Sequence, residues 1–397
     1  MNPDYIAERI GRLGTESAFE VLSKAKALEA EGLDVIHLEI GQPNFGTPEH
    51  VARVACDSIQ DGETGYTASQ GELYLREAIA KRCREHENID TNADEIVIVP
   101  GGKPVMFFTM LSLINPGDEV IYPNPGFPIY ESCIRFAGGI PVPVPVIMEN
   151  DFKVDPKVLK SLITDRTKLI IINSPGNPTG GVMEEKDIRA IANVIKDTDI
   201  FVLSDEIYSR LIYNGTKHFS MASIPEMKDR TIVLNGFSKP YAMTGWRIGY
   251  GIMNKELAKV MTLLMVNSSS CVAGFTQEAA RAALEGPQEC VSEMAEAYRY
   301  RLEYFVNELN KIDGIKCLMP KGSFYLFPSI KDTGLSDREF ADRLLREAGV
   351  ACLAGSSFGK YGEGHLRLSA ATSFENLQEA ISRIKDFVGK IILEKTA

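Results

Sequence analysis

Three short apolar runs, each ending in a polar loop, set the limits on how this chain can fold. Residues 168–172 lead into NSPGNPTG (173–180), residues 200–203 into SDEIY (204–208), and residues 231–234 into NGFSK (235–239). Runs of this length, bounded by turn residues, predict buried strands. A helical pattern over 184–197 separates the first two. Strands alternating with helices predict an α/β fold with a parallel or mostly parallel sheet, covered by helices on both faces. Ligands in such sheets sit beyond the carboxyl ends of the strands. Asn177 precedes Asp205 by 28 residues, and Asp205 precedes Lys239 by 34. Each interval is about one strand–helix–strand unit, so the three side chains are expected on one edge of the sheet.

The flanking segments extend this pattern. AFEVLSKAKALEAEG (18–32) has apolar positions spaced by three and four, which predicts a helix ending at Gly32. Residues 34–40 are strand-like and run into a turn at Gly41. Pro48 opens a second helix. A strand over 95–99 breaks at PGGK (100–103) before a helix over 105–113. Strand, glycines and helix start make a geometry that binds phosphate through backbone N–H groups. A strand over 120–122 ends in PNPGFPIY (123–130), read as a rigid loop carrying Phe127 and Tyr130. Further strands are predicted at 140–146 and 249–253, and helices at 156–163 and 256–265.

A chain of 397 residues is too long for one ordinary core. From about Thr276 the pattern changes to long charged helices, broken at Gly286-Pro287. A small antiparallel sheet is expected from 315–318 and 322–328, then a helix over 337–347. GHLRLS (364–369) reads as a strand ending at Arg367, and a last helix covers 374–388. The expected division is a large domain over 46–285 and a smaller α+β domain built from 1–45 and 286–397.

The net charge of −11 argues against a nucleic-acid or anionic-membrane binder, since both call for excess Lys and Arg. Seven scattered cysteines form no C-x-x-C pair. That disfavours a disulfide framework or a zinc site and fits a reducing cytoplasm. A charged N-terminus without an apolar stretch predicts no secretory leader, and the apolar runs are too short to span a bilayer.

The chemistry gathers around NGFSKPYAMTGWRIGYG (235–251). A lysine amine can form a Schiff base with an aldehyde. A hydroxyl such as Ser238 and a guanidinium such as Arg247 can hold an anion. Those are the needs of a cofactor with one aldehyde and one phosphate. No strand is followed by G-x-G-x-x-G, which disfavours a nicotinamide-dependent oxidoreductase.

Taken together, NSPGNPTG, SDEIY, SKPYAMTGWR and HLRLS resemble the motifs of the fold-type I pyridoxal-phosphate aminotransferases, class I/II. The resemblance is strongest to the aspartate/aromatic branch and spans the Gly41 turn to Arg367. It implies that Lys239 carries the covalent link to pyridoxal 5'-phosphate and later moves the substrate's Cα proton. Asp205 would hold the pyridine nitrogen protonated. Asn177 and Tyr208 would bond the cofactor's 3'-oxygen, and Phe127 would stack on the ring, where many relatives carry Trp or Tyr. Gly102, Lys103, Ser238 and Arg247 would hold the phosphate, joined by Tyr66 from the partner of a homodimer. Arg367, helped by Asn177 and the Gly41 backbone, would fork the substrate's α-carboxylate. Lys103 would read a distal carboxylate, although Pro104 stands where the related turn has Gln. The implied reaction passes an amino group between an L-amino acid and a 2-oxo acid. A C–S β-lyase or a decarboxylase on the same scaffold is the alternative.

Overall fold

The computed structural model describes residues 5–396. In chain order the strands are β1 (Ile36–His37), β2 (Ile96–Val99), β3 (Glu119–Asn124), β4 (Ile140–Pro145), β5 (Thr167–Asn173) and β6 (Phe201–Asp205). They continue with β7 (Thr231–Gly236), β8 (Gly249–Ile252), β9 (Tyr325–Leu326), β10 (Val350–Ala351), β11 (Leu353–Ala354) and β12 (Leu366–Ser369). The helices are α1 (Ser17–Ala30), α2 (Glu49–Gln60), α3 (Leu73–Arg82), α4 (Lys103–Leu113), α5 (Ile129–Phe136) and α6 (Pro156–Leu162). After them come α7 (Glu185–Ile195), α8 (Lys255–Ser268), α9 (Gly274–Glu285), α10 (Glu289–Leu309), α11 (Asp337–Ala348) and α12 (Phe374–Thr396).

Strands β2 to β8 form one seven-stranded sheet in the order β2-β8-β7-β6-β5-β3-β4. All its pairings are parallel except those of β8, which opposes both β7 and β2. Successive β5 residues point into different cores. Leu169 and Ile171 pack with Val105, Met261 and Ala279 from α4, α8 and α9. Ile170 and Ile172 pack with Leu159, Ile188 and Ile191 from α6 and α7. Burial on both faces explains why these strands read as unbroken apolar runs rather than as an alternation.

A further core gathers Leu302 and Phe305 of α10, Phe340 and Leu344 of α11, and Phe387 of α12 around Ile36, Leu38, Leu326 and Leu368. β1 pairs in parallel with β10, which ties the N-terminal segment to the C-terminal third. Tyr208 is buried in this core and also borders the cavity described below.

Several sequence expectations need correction. PNPGFPIY is a loop only over 125–128: Pro123 and Asn124 close β3, Pro128 caps α5, and Tyr130 is helical. The strand expected over 34–40 shrinks to two residues. Residues 315–318 form no strand and contribute only an isolated Lys316–Ser329 bridge. The small antiparallel sheet has the order β11-β12-β9, so Arg367 lies inside a strand rather than at its end. The last helix passes Val388 and reaches Thr396. Among the described residues, no helix is long and apolar enough to cross a membrane.

Candidate active site

The parallel register brings the predicted residues to one edge. Asn173 sits opposite Asp205 across β5 and β6, and Asp205 sits opposite Leu234 across β6 and β7. Beyond these strand ends lies a cavity of about 550 Å³, a size suited to a small-molecule ligand. Gly41, Gly102, Lys103, Phe127, Asn177, Asp205, Tyr208, Ser238, Lys239, Arg247 and Arg367 all line it. Tyr66 does not. It is 95% exposed and borders a separate surface pocket with Asp57, Asp61 and Glu278.

Lys239 projects from the loop after β7, and its Nζ donates to the Gly41 carbonyl at 2.5 Å. Burial, with the Arg367 and Arg247 charges, holds its pKa down to about 8. A lysine in that range supplies neutral amine near physiological pH, as a nucleophile or base requires. The Tyr208 and Phe324 rings each lie 5.7 Å from Nζ.

Asp205 ends β6 and is buried. Burial pushes its pKa up to about 6, while the Tyr130 hydroxyl, donating at 2.6 Å, and the Ile207 N–H pull it back. The carboxylate is therefore desolvated but anchored, ready to meet a cation in the cavity. Glu206 beside it is otherwise engaged. It accepts from the Ser204 and Ser220 hydroxyls at 2.7 and 2.6 Å and contacts His218 Nε2 at 2.8 Å.

The N-terminus of α4 supplies the anion corner. Gly102 caps the helix; Pro104 has no N–H and the Val105 N–H donates to the Gly102 carbonyl, so the Gly102 and Lys103 N–H groups mark the positive end of the dipole. Gly101 has φ +81°, and a Cβ there would fall 2.1 Å from the Arg247 guanidinium. Arg247 itself holds φ +53° and donates to the Thr244 carbonyl at 2.8 Å. A left-handed non-glycine residue of this kind often marks a functional site.

At the other end, Arg367 donates to Asn177 Oδ1 at 3.2 Å and to the Glu39 carbonyl. Its guanidinium lies 4.4 Å from the Tyr325 ring centroid and 5.1 Å from that of Phe358. Among the described residues, the buried Arg367 Nε has no hydrogen-bond partner. A buried orphan donor is costly unless a ligand satisfies it.

Four residues that sequence reasoning did not place in the site also belong to it. Tyr130 bonds Asp205. The Tyr325 hydroxyl pairs with that of Tyr208 at 2.9 Å. Asn173 Oδ1 accepts the Asn177 N–H at 2.8 Å and so shapes the NSPGNPTG loop. Glu16 forms an ion pair with Lys103. Tyr130 and Asn173 had local signals, the i+3 spacing from Phe127 and the place at the head of NSPGNPTG four residues before Asn177; Tyr325 and Glu16 depend on tertiary contacts.

A mostly parallel sheet with a buried amine, a buried acid and two arginines at the carboxyl edge defines the fold-type I pyridoxal-phosphate enzymes. Residues 33–384 match the family Aminotransferase class I and II. The chain is 41% identical to the aspartate aminotransferase of Bacillus subtilis over 391 residues, covering 97% of this chain and 99% of that one. It is 39% identical to aromatic-amino-acid aminotransferase 2 of Thermococcus litoralis, with coverages of 92% and 94%. The solved aspartate aminotransferase from Rhizobium meliloti superposes with a TM-score of 0.94 at 35% identity, covering 98% of this chain and 99% of that one. The chain belongs to the aminotransferase class I and II family, whose members depend on pyridoxal phosphate, and it is a transaminase.

Proposed function

We propose that the chain transfers the amino group of an aspartate-like or broader range of L-amino acids to a 2-oxo acid such as 2-oxoglutarate. The observation that carries this reading is Arg367, whose Nε has no hydrogen-bond partner among the described residues and whose side chain borders the same cavity as Lys239 and Asp205. The residues present fit pyridoxal phosphate. The helix start at Gly102 and Lys103, with Ser238 and Arg247, suits its phosphate. Asp205 suits a protonated ring nitrogen, Asn177 and Tyr208 a ring oxygen, and Phe127 the ring face. When bound, the cofactor supplies an aldehyde that joins to amines and a ring that draws electrons from the substrate's Cα.

The protein's own part is to bind, orient and move protons. Arg367 forks the α-carboxylate, with Asn177 and the Gly41 backbone beside it, and so fixes which face of Cα meets Lys239. Lys239 takes the Cα proton as a neutral amine and delivers it across the cavity. Asp205 stays ionised and balances positive charge on the ring nitrogen. Lys103 meets a distal carboxylate where the substrate has one. The names of the aspartate and aromatic relatives support both acidic and apolar substrates.

The same reading includes a homodimer in which the exposed Tyr66 reaches the partner's phosphate site. It also includes domains at 46–285 and at 1–45 with 286–397, and a cytoplasmic location. The separate core around α10 to α12 supports the domain division.

Arg367→Lys tests the substrate assignment. Lysine keeps the charge but loses the fork. The expected result is a fall of about 100-fold in kcat/KM, carried mostly by KM because the carboxylate is held before and during reaction. An unchanged KM for both amino and oxo acid would remove Arg367 from substrate binding.

Reconstitution should depend on pH in a defined direction. Asp205, with its pKa pushed up to about 6, must lose its proton to face a cationic ring nitrogen. Lys239, held down to about 8, must be neutral to attack an aldehyde. Cofactor affinity is therefore expected to rise as pH increases through about 6, and attachment rate to rise through about 8 and then level off. Stopped-flow absorbance on cofactor-free protein gives both.

A further inference from the structure

Glu16 occupies the N-cap position of α1, yet its side chain makes no capping hydrogen bond there. It reaches instead to Lys103 Nζ. Lys103 is the first residue of α4. An ammonium at a helix N-terminus meets the positive end of the dipole and is disfavoured unless an anion lies close. The Glu16 side chain is only 17% exposed, against 51% for Lys103, so the carboxylate is the more enclosed partner. Lys103 Nζ lies 5.6 Å from the centroid of the Phe127 ring. Glu16, Lys103, Phe127 and Arg367 border one cavity, and Ala18 and Phe19 from the first turn of α1 border it too. The Glu16 charge also raises the proton affinity of Lys239 and Tyr325, which places its field inside the site.

We propose that Glu16 is a specificity-determining residue, an internal carboxylate that holds Lys103 until the distal carboxylate of a dicarboxylic substrate displaces it. The inference rests on the assignment of Lys103 to the distal carboxylate. A dicarboxylic substrate exchanges one ion pair for another and so gains little net affinity from Lys103. An amino acid with an apolar side chain leaves the Glu16–Lys103 pair in place as a neutral wall. One pocket can thus serve an acidic partner in one half-reaction and an apolar one in the other.

Calorimetric titration of the holoenzyme with succinate and with butyrate tests this. The two probes have equal chain length and differ by one carboxylate. In Glu16→Gln the succinate-to-butyrate affinity ratio is expected to rise roughly three- to fivefold, the scale of a partly exposed ion pair. Glu16→Ser, a better helix N-cap, should raise the ratio in the same way and guards against an effect of poor folding. In Lys103→Ala the ratio should fall, and adding Glu16→Gln to that variant should recover only the repulsion from the unpaired carboxylate, leaving the ratio below that of Glu16→Gln alone. If Lys103→Ala lowers the ratio while both Glu16 variants leave it unchanged, the role of Glu16 is overturned and that of Lys103 stands. If Lys103→Ala leaves the ratio unchanged, the Lys103 assignment fails and the role of Glu16 fails with it.

Discussion

Lys239→Ala is expected to lower the rate of amino transfer by at least about 10⁴-fold, at the upper end of what a positioned acid–base group contributes. The side chain sits where an amine has two tasks, nucleophile and proton carrier, and alanine performs neither. Its Nζ is buried beside Arg367 and Arg247, and these surroundings keep the amine partly neutral. Lys239→Arg is expected to be similarly inactive, because a guanidinium stays protonated and cannot accept the Cα proton. The arginine variant separates a need for positive charge from a need for a base. Following the conversion of bound cofactor by a single amino-acid addition, without the second substrate, isolates the affected half-reaction. A Lys239→Arg variant with near-normal turnover would show that another group moves the proton.

Asp205→Asn carries the second-largest expected effect, a loss on the order of 10³ in kcat, near the top of the range for removing one preorganised electrostatic partner. Asparagine keeps the shape and one oxygen, which can accept from the Tyr130 hydroxyl or from the Ile207 N–H but not from both, since these donors bond opposite oxygens of the native carboxylate. The charge is removed together with one of the two accepting oxygens. The expected signature is a large fall in kcat with a much smaller change in KM, since the ring matters most as negative charge develops at Cα. Glu206 offers no substitute. Its carboxylate is held by Ser204, Ser220 and His218 and does not border the cavity. Equal kcat in Asp205→Asn and the parent would remove the acid from the chemistry.

The sheet was readable in the sequence because its strands are buried on both faces. Residues 169–172, 200–203 and 232–234 carry apolar side chains at every position, the pattern of a parallel strand covered on both faces. The same reasoning put Asn177, Asp205 and Lys239 on one edge, and the register of β5, β6 and β7 brings their loops together there. The C-terminal third was harder to read. Residues 315–318 look like a strand but make a single bridge, while β10 and β11 are two residues each and too short to give a pattern. Helix α5 was hidden by its prolines, since Pro128 reads as a loop residue and serves as the helix cap. Glu16 and Tyr325 reach the site through contacts with Lys103 and Tyr208, 87 and 117 residues away in the chain, and no local spacing announces them. Tyr66 stands apart: it is exposed and borders a different pocket, and its role depends on the proposed dimer.

The covalent link to Lys239 is the claim on which the rest depends, and borohydride reduction of the holoenzyme followed by peptide mapping tests it most directly. The expected result is loss of the visible absorption band and one modified peptide, the one containing Lys239. Cofactor fixed to Lys103 or to any other lysine, with Lys239 unmodified, would contradict it.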